Sequence, residues 1–266
     1  MPRIFKLEII MYRKCTLIVL ILSTVFFSSC NLPDKQPVQA RNTLPSPIVL
    51  TPESSPTPIV LCDNLYFPNS LDDRWEYSGN NTALGDYTRT DRITASSEKS
   101  FTVESTLSSV TYTVEYNCSE AGLIAVNPIQ QYMGALITGP NAPVNVTLIS
   151  NSGLSLPARI NPGDSWQQTA EWDASANEFS MNGRFVFDYS VVGYEKVTVP
   201  FGIFDALRVN ATIRIEVSGF RILAGTYTTT TWMVPEVGVI KSEGTSHVPG
   251  VDFTDRLELT GFSSTP

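Results

Sequence analysis

The thiol of Cys30 is the side chain whose surroundings point most clearly to chemistry. Two basic residues, Arg13 and Lys14, precede an apolar run at 15–27, and two serines separate that run from Cys30. A short basic segment, a short apolar core and small residues before the cut are typical of a secretory signal peptide. A cysteine directly after the small residues indicates that lipid becomes attached to it, rather than that the chain is simply released.

The four positions that end at Cys30 read Phe-Ser-Ser-Cys and resemble the lipobox of bacterial lipoproteins, with Phe27 where leucine is usual. The resemblance implies cleavage before Cys30 and a diacylglyceryl thioether on its sulfur. Acyl chains such as palmitate contribute about 0.8 kcal/mol for each CH₂ buried in a bilayer, so two chains hold a protein firmly. Plain secretion and an uncleaved anchor remain as alternatives, although the apolar run is shorter than the roughly 20 residues of a spanning helix.

Composition divides the chain into three predicted segments. Residues 1–29 form the predicted signal peptide, and its compact form from Met11 onward predicts that translation begins there. Residues 30–61 contain seven prolines among polar residues. Such a stretch lacks the apolar content of a core, which predicts a disordered, extended tether. A β-rich globular domain is predicted for 62–262.

Charge restricts the classes of partner. Removal of the signal peptide takes away four basic side chains and one acidic side chain, which changes the net charge from −8 to −11. An acidic chain disfavours nucleic acid and anionic lipid headgroups, because both need clusters of lysine and arginine. The signal peptide and Cys30 predict an extracytoplasmic location, with the membrane as a partner through the lipidated cysteine. An apolar ligand or another envelope component is the second predicted partner.

Cys62 and Cys118 are predicted to form a disulfide. Cys15 leaves with the signal peptide and lipid occupies Cys30, so two cysteines remain in the exported domain. Exported domains usually pair such cysteines. A buried pair of free thiols and metal ligation remain as alternatives, but the only histidine is His247 and no second cysteine lies near either one.

Candidate catalytic groups are sparse. His247 lies in a predicted loop, and the chain has no Gly-x-Ser-x-Gly, His-Glu-x-x-His or phosphate-loop pattern. Two carboxylates could hydrolyse a glycosidic bond, but the closest pair, Asp72 and Asp73, lies in a predicted turn. The sequence therefore predicts no catalytic residue, no metal and no cofactor. A carboxylate-dependent glycan hydrolase remains as an alternative function, as does a purely structural or adhesion module.

Aromatic residues give the strongest indication of ligand binding. The chain has four tryptophans, namely Trp75, Trp166, Trp172 and Trp232. Open curved sheets can line their mouths with aromatic rings that receive apolar or sugar ligands. The alternative is that these rings pack between the sheet and a covering segment.

Strands are the elements predicted to position these groups. Apolar side chains alternate with polar ones from Val110 to Cys118, from Phe185 to Val191 and from Leu207 to Val217. Strict alternation is typical of antiparallel strands that cover a single core. Further strands are predicted at 75–78, 86–94, 101–107, 123–126, 144–149, 166–172, 226–233, 237–241 and 253–259, with turns at 78–80, 120–122, 161–164, 182–183 and 249–250 and a short helix within 127–137. The predicted fold class is all-β: a single curved antiparallel sheet or an open half-barrel.

Three segments, 66–77, 197–206 and 232–241, resemble a broad group of bacterial envelope lipoproteins. The second segment keeps the Pro, Gly and Phe of the group's Pro-Ala-Gly-Thr-Phe turn. The third reads Pro-Glu-Val-Gly-Val-Ile-Lys after its tryptophan strand, where the group has Pro-Gly-Val-Gly-Leu-Val-Lys. The group is similar in architecture to the LolA/LolB-like half-barrels. The resemblance implies a curved sheet able to hold a lipid or lipoprotein chain, and it implies no catalytic residues.

Overall fold

A computed structural model describes residues 61–130, 145–176, 179–217, 222–247 and 252–264. Their thirteen strands are β1 (Arg74–Asn81), β2 (Gly85–Ser96), β3 (Ser100–Leu107), β4 (Val110–Ser119), β5 (Gly122–Ala125), β6 (Asn145–Gly153), β7 (Leu156–Pro157), β8 (Ser165–Ala176), β9 (Phe179–Val199), β10 (Gly202–Val217), β11 (Ile222–Val234), β12 (Gly238–His247) and β13 (Phe253–Ser263). The predicted signal peptide, the tether up to residue 60 and the turn at 249–250 lie outside these residues.

All these strands belong to one antiparallel sheet. Hydrogen-bonded neighbours follow the order β6-β8-β9-β10-β11-β12-β13-β1-β2-β3-β4-β5-β7, so β6 and β7 are the two edge strands. The structure therefore confirms the predicted all-β class and the single open antiparallel sheet. Helix is limited in the described part to one turn at 128–130, and the rest of the helix predicted within 127–137 lies outside that part.

Alternating burial follows from the alternating sequence. Along β10, Val209, Ala211 and Ile213 are buried, whereas Asn210 and Thr212 between them face solvent more. The buried face of the sheet holds two hydrophobic clusters. The larger joins β1–β5 to the strands β9–β13, and the smaller lies on β8, β9 and β10. Among the described residues, the two clusters thus make the buried face of the sheet a packed apolar core.

The hairpin of β9 and β10 is the longest in the described sheet and covers the larger cluster. Its tip reaches β13, where the amide of Phe201 donates a hydrogen bond to the carbonyl of Leu259 at 3.1 Å. Val197, Val199 and Ala206 from this hairpin are buried in the larger cluster. A register shift within the pair gives the hairpin the bend that this crossing needs.

The chain entering the domain forms a strap across several strands, which we define as residues 62–69. Cys62 forms a disulfide with Cys118 on β4, with 5.0 Å between the two Cα atoms. The side-chain amide of Asn64 donates to the carbonyl of Pro157 on β7 at 3.0 Å. The hydroxyls of Tyr66 and Tyr194 lie 3.0 Å apart, so the strap also reaches β9.

A short segment connects the two sides of the open sheet. The amide of Ser155 donates to the carbonyl of Leu123 on β5 at 2.9 Å, and the amide of Leu154 donates to the carbonyl of Gln167 on β8 at 3.3 Å. These bonds bring β5 and β8 to either side of the same two residues. β5 and β8, which lie next to the two edge strands, are thus connected although no continuous backbone ladder joins the two sides of the sheet.

Polar side chains complete this connection, and we call them the seam: the buried Ser155 and Gln168 and the half-buried Asn151. The Ser155 hydroxyl donates to Gln168 Oε1 at 2.9 Å and accepts from the amide of Ala125 at 2.8 Å. The Gln168 amide donates to Asn151 Oδ1 at 3.0 Å, and the Asn151 amide donates to the carbonyl of Ala125 at 2.7 Å. Because buried polar groups are costly when unpaired, this closed set of bonds favours one arrangement of the edges.

Two predicted turns are wrong, because the glycines in them lie inside strands. Gly79 is within β1, and a Cβ there would lie 2.2 Å from the ring of Tyr87. Gly183 is within β9, and a Cβ there would lie 2.1 Å from the carbonyl oxygen of Glu216. Both glycines permit a close approach of another group to the strand, which is the second common role of glycine in sheets.

Folding raises the pKa of three tyrosine phenols, those of Tyr66, Tyr77 and Tyr87. Burial raises the pKa of the Tyr77 hydroxyl, the charge of Asp91 raises it further and Arg89 lowers it. Burial also raises the pKa of Tyr87, and so does Asp255, whose two oxygens accept its hydroxyl at 3.0 Å each. Each phenol therefore keeps its proton in the native state at a pH where the unfolded chain, with a tyrosine pKa of about 10, has lost it.

Stability is expected to fall as the pH rises above about 10, because the unfolded state then binds fewer protons than the native state. Tyr77→Phe removes one titrating phenol. The free energy of unfolding should then fall less steeply with pH, by about 1.4 kcal/mol per pH unit. Urea denaturation between pH 8 and pH 12 measures this slope. Val103→Ala, which weakens the same core without removing a titrating group, is expected to keep the slope of the wild type. Equal slopes for Tyr77→Phe and the wild type would contradict the assignment.

Candidate functional site

Three of the four tryptophans, Trp75, Trp172 and Trp232, are buried, and Trp166 is partly buried. Trp75 stacks on Phe262 with 5.4 Å between ring centroids, and its indole NH donates to the carbonyl of Val237 at 2.6 Å. Trp166 stacks on Tyr189 at 4.9 Å and contacts both hydrophobic clusters. The faces of these two rings are used by protein neighbours.

The other two tryptophans belong to different clusters. Trp172 packs against Phe185 in the smaller cluster, and its buried indole NH has no hydrogen-bond partner among the described residues. Trp232 belongs to the larger cluster, donates to Glu195 and lies 4.7 Å from the ammonium of Lys241, measured to the ring centroid. These contacts within the protein do not test ligand binding, so ligand binding by the four tryptophans stays a prediction.

The carboxylates singled out in the sequence serve the turn before β1. Asp73 is fully buried and accepts hydrogen bonds from the amide of Ser70 at 2.9 Å and from the hydroxyl of Ser264 at 2.6 Å. Asp72 has a φ of 73° and pairs with Arg92 at 2.6 Å. His247 is the last residue of β12. Among the residues with described positions, no group of three or more histidine, cysteine, aspartate or glutamate side chains could hold a metal ion.

A shallow concavity on the solvent face of the sheet is the candidate site, and we call it the polar groove. Its volume is about 700 Å³. It crosses five neighbouring strands in the middle of the sheet, and its lining side chains on that face are Asn80, Asn210, Thr212, Thr228, Thr230, Glu243, Thr245, Thr254 and Arg256. Alternation along the strands turns these polar side chains away from the core, which is why they share one face.

Strand register aligns these side chains in two rows. The first row runs across five strands and is formed by Asn210, Thr230, Glu243, Arg256 and Asn80. The second row is formed by Thr212, Thr228, Thr245 and Thr254. Since neighbouring strands lie about 4.8 Å apart, the first row is roughly 19 Å long, and the rows are separated by about 7 Å along the strands.

The groove presents hydrogen-bonding groups with little net charge. Thr230 donates to Asn210 Oδ1 at 3.1 Å, which orients the amide of Asn210. The carboxylate of Glu243 lies 4.0 Å from the guanidinium of Arg256 and 2.7 Å from the ammonium of Lys241. Hydroxyl, amide, carboxylate and guanidinium groups are thus fixed on a sheet whose backbone is already fully engaged in the ladder.

Sequence reasoning missed this groove. The polar faces of the strands were interpreted as ordinary solvated faces, which is what each strand shows when it is considered alone. The available signal was the density of threonine in β11, where Thr226, Thr228 and Thr230 share one face. The register between five strands brings these residues together with those of β10, β12, β13 and β1, and that register is set by long-range pairing.

A family model described as DUF3108-like matches residues 129–247, which is less than half of the chain. The matched stretch contains strands β6 to β12 and hence the part of the polar groove that β10, β11 and β12 provide. No curated protein matches the chain. Within the described part of the chain, no helix is long and apolar enough to cross a membrane.

Three solved structures of bacterial proteins are similar to this chain. A protein from Bacteroides fragilis, described as exported and as having a YmcC-like fold, is 16% identical over 76% of this chain and 100% of its own, with a TM-score of 0.52. A protein from Parabacteroides distasonis, described as a lipoprotein, is 13% identical over 76% of this chain and 99% of its own, with a TM-score of 0.48. The hypothetical lipoprotein YmcC from Escherichia coli is 11% identical over 74% of this chain and 87% of its own, with a TM-score of 0.36. The Bacteroides similarity shows a shared fold, whereas the LolA/LolB-like architecture expected from the sequence stays a prediction.

Proposed function

We propose that the chain is a lipid-anchored, non-catalytic β-domain that is displayed on the outer side of a bacterial membrane and binds another envelope component there. One observation carries the proposal: the described side chains on the buried face of the sheet pack into two apolar clusters, whereas the polar groove is on the face open to solvent. Of the two partners predicted from the sequence, this arrangement favours an envelope component over an apolar ligand held inside a half-barrel.

The anchor is supported by the sequence before the described domain. The four residues that end at Cys30 resemble the lipobox, with Phe27 in place of leucine, and the proline-rich segment separates Cys30 from the strap. Proline-rich segments generally act as extended spacers, and a spacer of this length would lift the domain from the bilayer. The polar groove would then be free to contact material outside that membrane.

The non-catalytic assignment is supported by how the carboxylates are used. A glycan hydrolase needs two carboxyl groups facing one cleft about 5–10 Å apart. Of the acidic side chains that line the polar groove, Glu243 belongs to its solvent-facing rows, whereas Asp255 accepts hydrogen bonds from Tyr87 and Asn81. The groove thus has the form of a binding surface rather than that of a hydrolytic pair.

Replacement of Cys30 tests the anchoring. Cys30→Ala is expected to leave the protein unacylated and to move it from the membrane fraction to the soluble fraction, because its thioether would be lost. Cell fractionation measures the shift, and mass spectrometry of the N-terminal peptide of the wild type is expected to show a diacylglyceryl group on Cys30. Cys15→Ala is the matched control and is expected to leave attachment intact. Unchanged processing and attachment of Cys30→Ala would contradict the proposal.

A further inference from the structure

We infer that the polar groove binds an uncharged oligosaccharide whose chain lies across the five strands, along the first row of side chains. This inference rests on the proposed function and names the class of envelope component. It is carried by the position of the groove in the sheet, by its shape and by the chemistry of its side chains.

The position of the groove excludes recognition by added strands. Its strands β10, β11, β12, β13 and β1 are internal to the sheet, so each is hydrogen-bonded to a neighbour on both sides. A peptide that binds by extending a sheet needs a free strand edge. Only side chains are available in the groove, and a ligand must therefore offer many hydrogen-bonding groups of its own.

The shape of the groove suits an elongated ligand with a repeated unit. The first row places a polar side chain on every strand, about 4.8 Å from the next. The second row runs beside it and adds a threonine on four of the same strands. Two parallel rows with a short, regular repeat match a chain whose hydroxyl groups recur along both of its edges.

The chemistry of the side chains fits hydroxyl groups. A threonine hydroxyl donates one hydrogen bond and accepts others, and an asparagine amide does both at adjacent atoms. A sugar hydroxyl has the same dual capacity, so the two surfaces can satisfy each other in either direction. The threonine methyl groups also supply small apolar contacts for the C–H groups of a sugar ring.

The charge of the groove favours an uncharged chain. Glu243 and Arg256 are opposite in sign and neighbours in the first row. Lys241 pairs with Glu243, and the guanidinium of Arg256 pairs with Glu258, so the basic groups at the groove already have acidic partners. A polyanion would need a cluster of free basic side chains, whereas the domain as a whole is acidic. Carboxylate and guanidinium groups can instead bind neighbouring hydroxyls with two hydrogen bonds each, which gives direction along the row.

A surface that binds sugars must also be rigid. Sugars bury little apolar area, so most of the affinity must come from hydrogen bonds whose groups are already held in place. The threonines lie on strands that are paired on both sides, and the Thr230–Asn210 hydrogen bond fixes one amide before a ligand arrives. Pre-organised groups lose less freedom on binding, which raises the affinity that a given set of hydrogen bonds can provide.

The test compares the wild type with Thr228→Val/Thr230→Val, full-length and purified in a zwitterionic detergent that contains no sugar. Valine keeps the shape and strand preference of threonine and removes the hydroxyl. Thr113→Val is the matched control, because Thr113 is an exposed residue on β4 outside the groove. The probe is an array of uncharged and anionic bacterial oligosaccharides of several lengths, followed by titration calorimetry with the bound ones. Thermal unfolding of each variant verifies that it is folded.

The wild type and Thr113→Val are expected to bind uncharged oligosaccharides, more tightly as the chain lengthens, and the double variant is expected to bind at least tenfold more weakly. A wild type that binds no uncharged oligosaccharide, that prefers anionic ones or that binds as the folded double variant does would overturn the inference. Sedimentation of Cys30→Ala protein with purified envelope fragments separates the two proposals. Envelope binding that survives the groove substitutions overturns the inference alone, whereas no envelope binding by any variant overturns the proposed function.

Discussion

Cys62→Ala/Cys118→Ala is expected to lower the free energy of unfolding by about 4 kcal/mol. The disulfide closes a loop with a sequence separation of 56 residues. In the chain-entropy model such a cross-link removes conformations mainly from the unfolded chain. Urea denaturation measures the loss as a lower midpoint, and the wild type in excess reductant is expected to match the variant.

The strap has polar and aromatic contacts besides the disulfide. It is hydrogen-bonded through Asn64 to Pro157, through Tyr66 to Tyr194 and through the carbonyl of Leu65, which accepts from the amide of Glu236 at 2.8 Å. Tyr66 is buried in the larger cluster, and the ring of Phe67 lies 5.2 Å from the rings of Phe101 and Tyr116. The disulfide is the covalent link at the start of the strap, so its loss frees that end first. We therefore expect hydrogen exchange to increase first in 62–69. A loss below 1 kcal/mol together with unchanged exchange would contradict this account.

Local patterns were sufficient to predict the strands, because each strand shows its own alternation. The segment from Leu207 to Val217 alternates over its whole length and lies in β10. The ends of the strands were harder to predict, since pairing with a neighbour extends a strand beyond its apolar residues. β12 runs to His247 although the predicted strand ended at Lys241, because Ser242 to His247 are polar but paired with β11 and mostly with β13.

Glycine shows where sequence patterns mislead. Gly79 and Gly183 follow or precede asparagine, a pairing typical of turns, yet both lie in strands. Gly79 leaves space for the ring of Tyr87, and Gly183 leaves space for the carbonyl oxygen of Glu216. That these groups approach the glycines is known only once the strands are paired. The same limit applies to the polar groove, whose five strands acquire their common surface only through register.

The seam illustrates a third kind of feature that sequence could not predict. Gln168 lies at an inward position of β8, where an apolar residue is usual, and it is fully buried. Its partners Asn151 and Ser155 come from β6 and from the loop after it. These three residues connect the two sides of a sheet whose backbone ladder stays open. The backbone conformation at the end of β6 should therefore affect the stability of the whole domain.

Gly153→Ala should therefore destabilise the protein far more than Gly163→Ala does. Both glycines have a left-handed backbone, with φ of +86° and +92°, and an added Cβ costs about 1–2 kcal/mol there in either case. At Gly163 the Cβ meets nothing within 4 Å, whereas at Gly153 it would lie 2.1 Å from the carbonyl oxygen of Gln167. That oxygen accepts the amide of Leu154, so relief of the clash must move the chain that carries the seam.

The difference in stability between Gly153→Ala and Gly163→Ala depends on the hydrogen bonds that are lost at the seam. Movement of Leu154 displaces Ser155 from Gln168, and a buried polar group left without a partner costs about 1–3 kcal/mol. We expect Gly153→Ala to lose at least about 2 kcal/mol more than Gly163→Ala in urea denaturation. Amide exchange in β5 and β8 should rise in Gly153→Ala and stay unchanged in Gly163→Ala, because the second glycine lies outside the connection. Equal losses for the two variants would mean that the seam does not hold the edges of the sheet together.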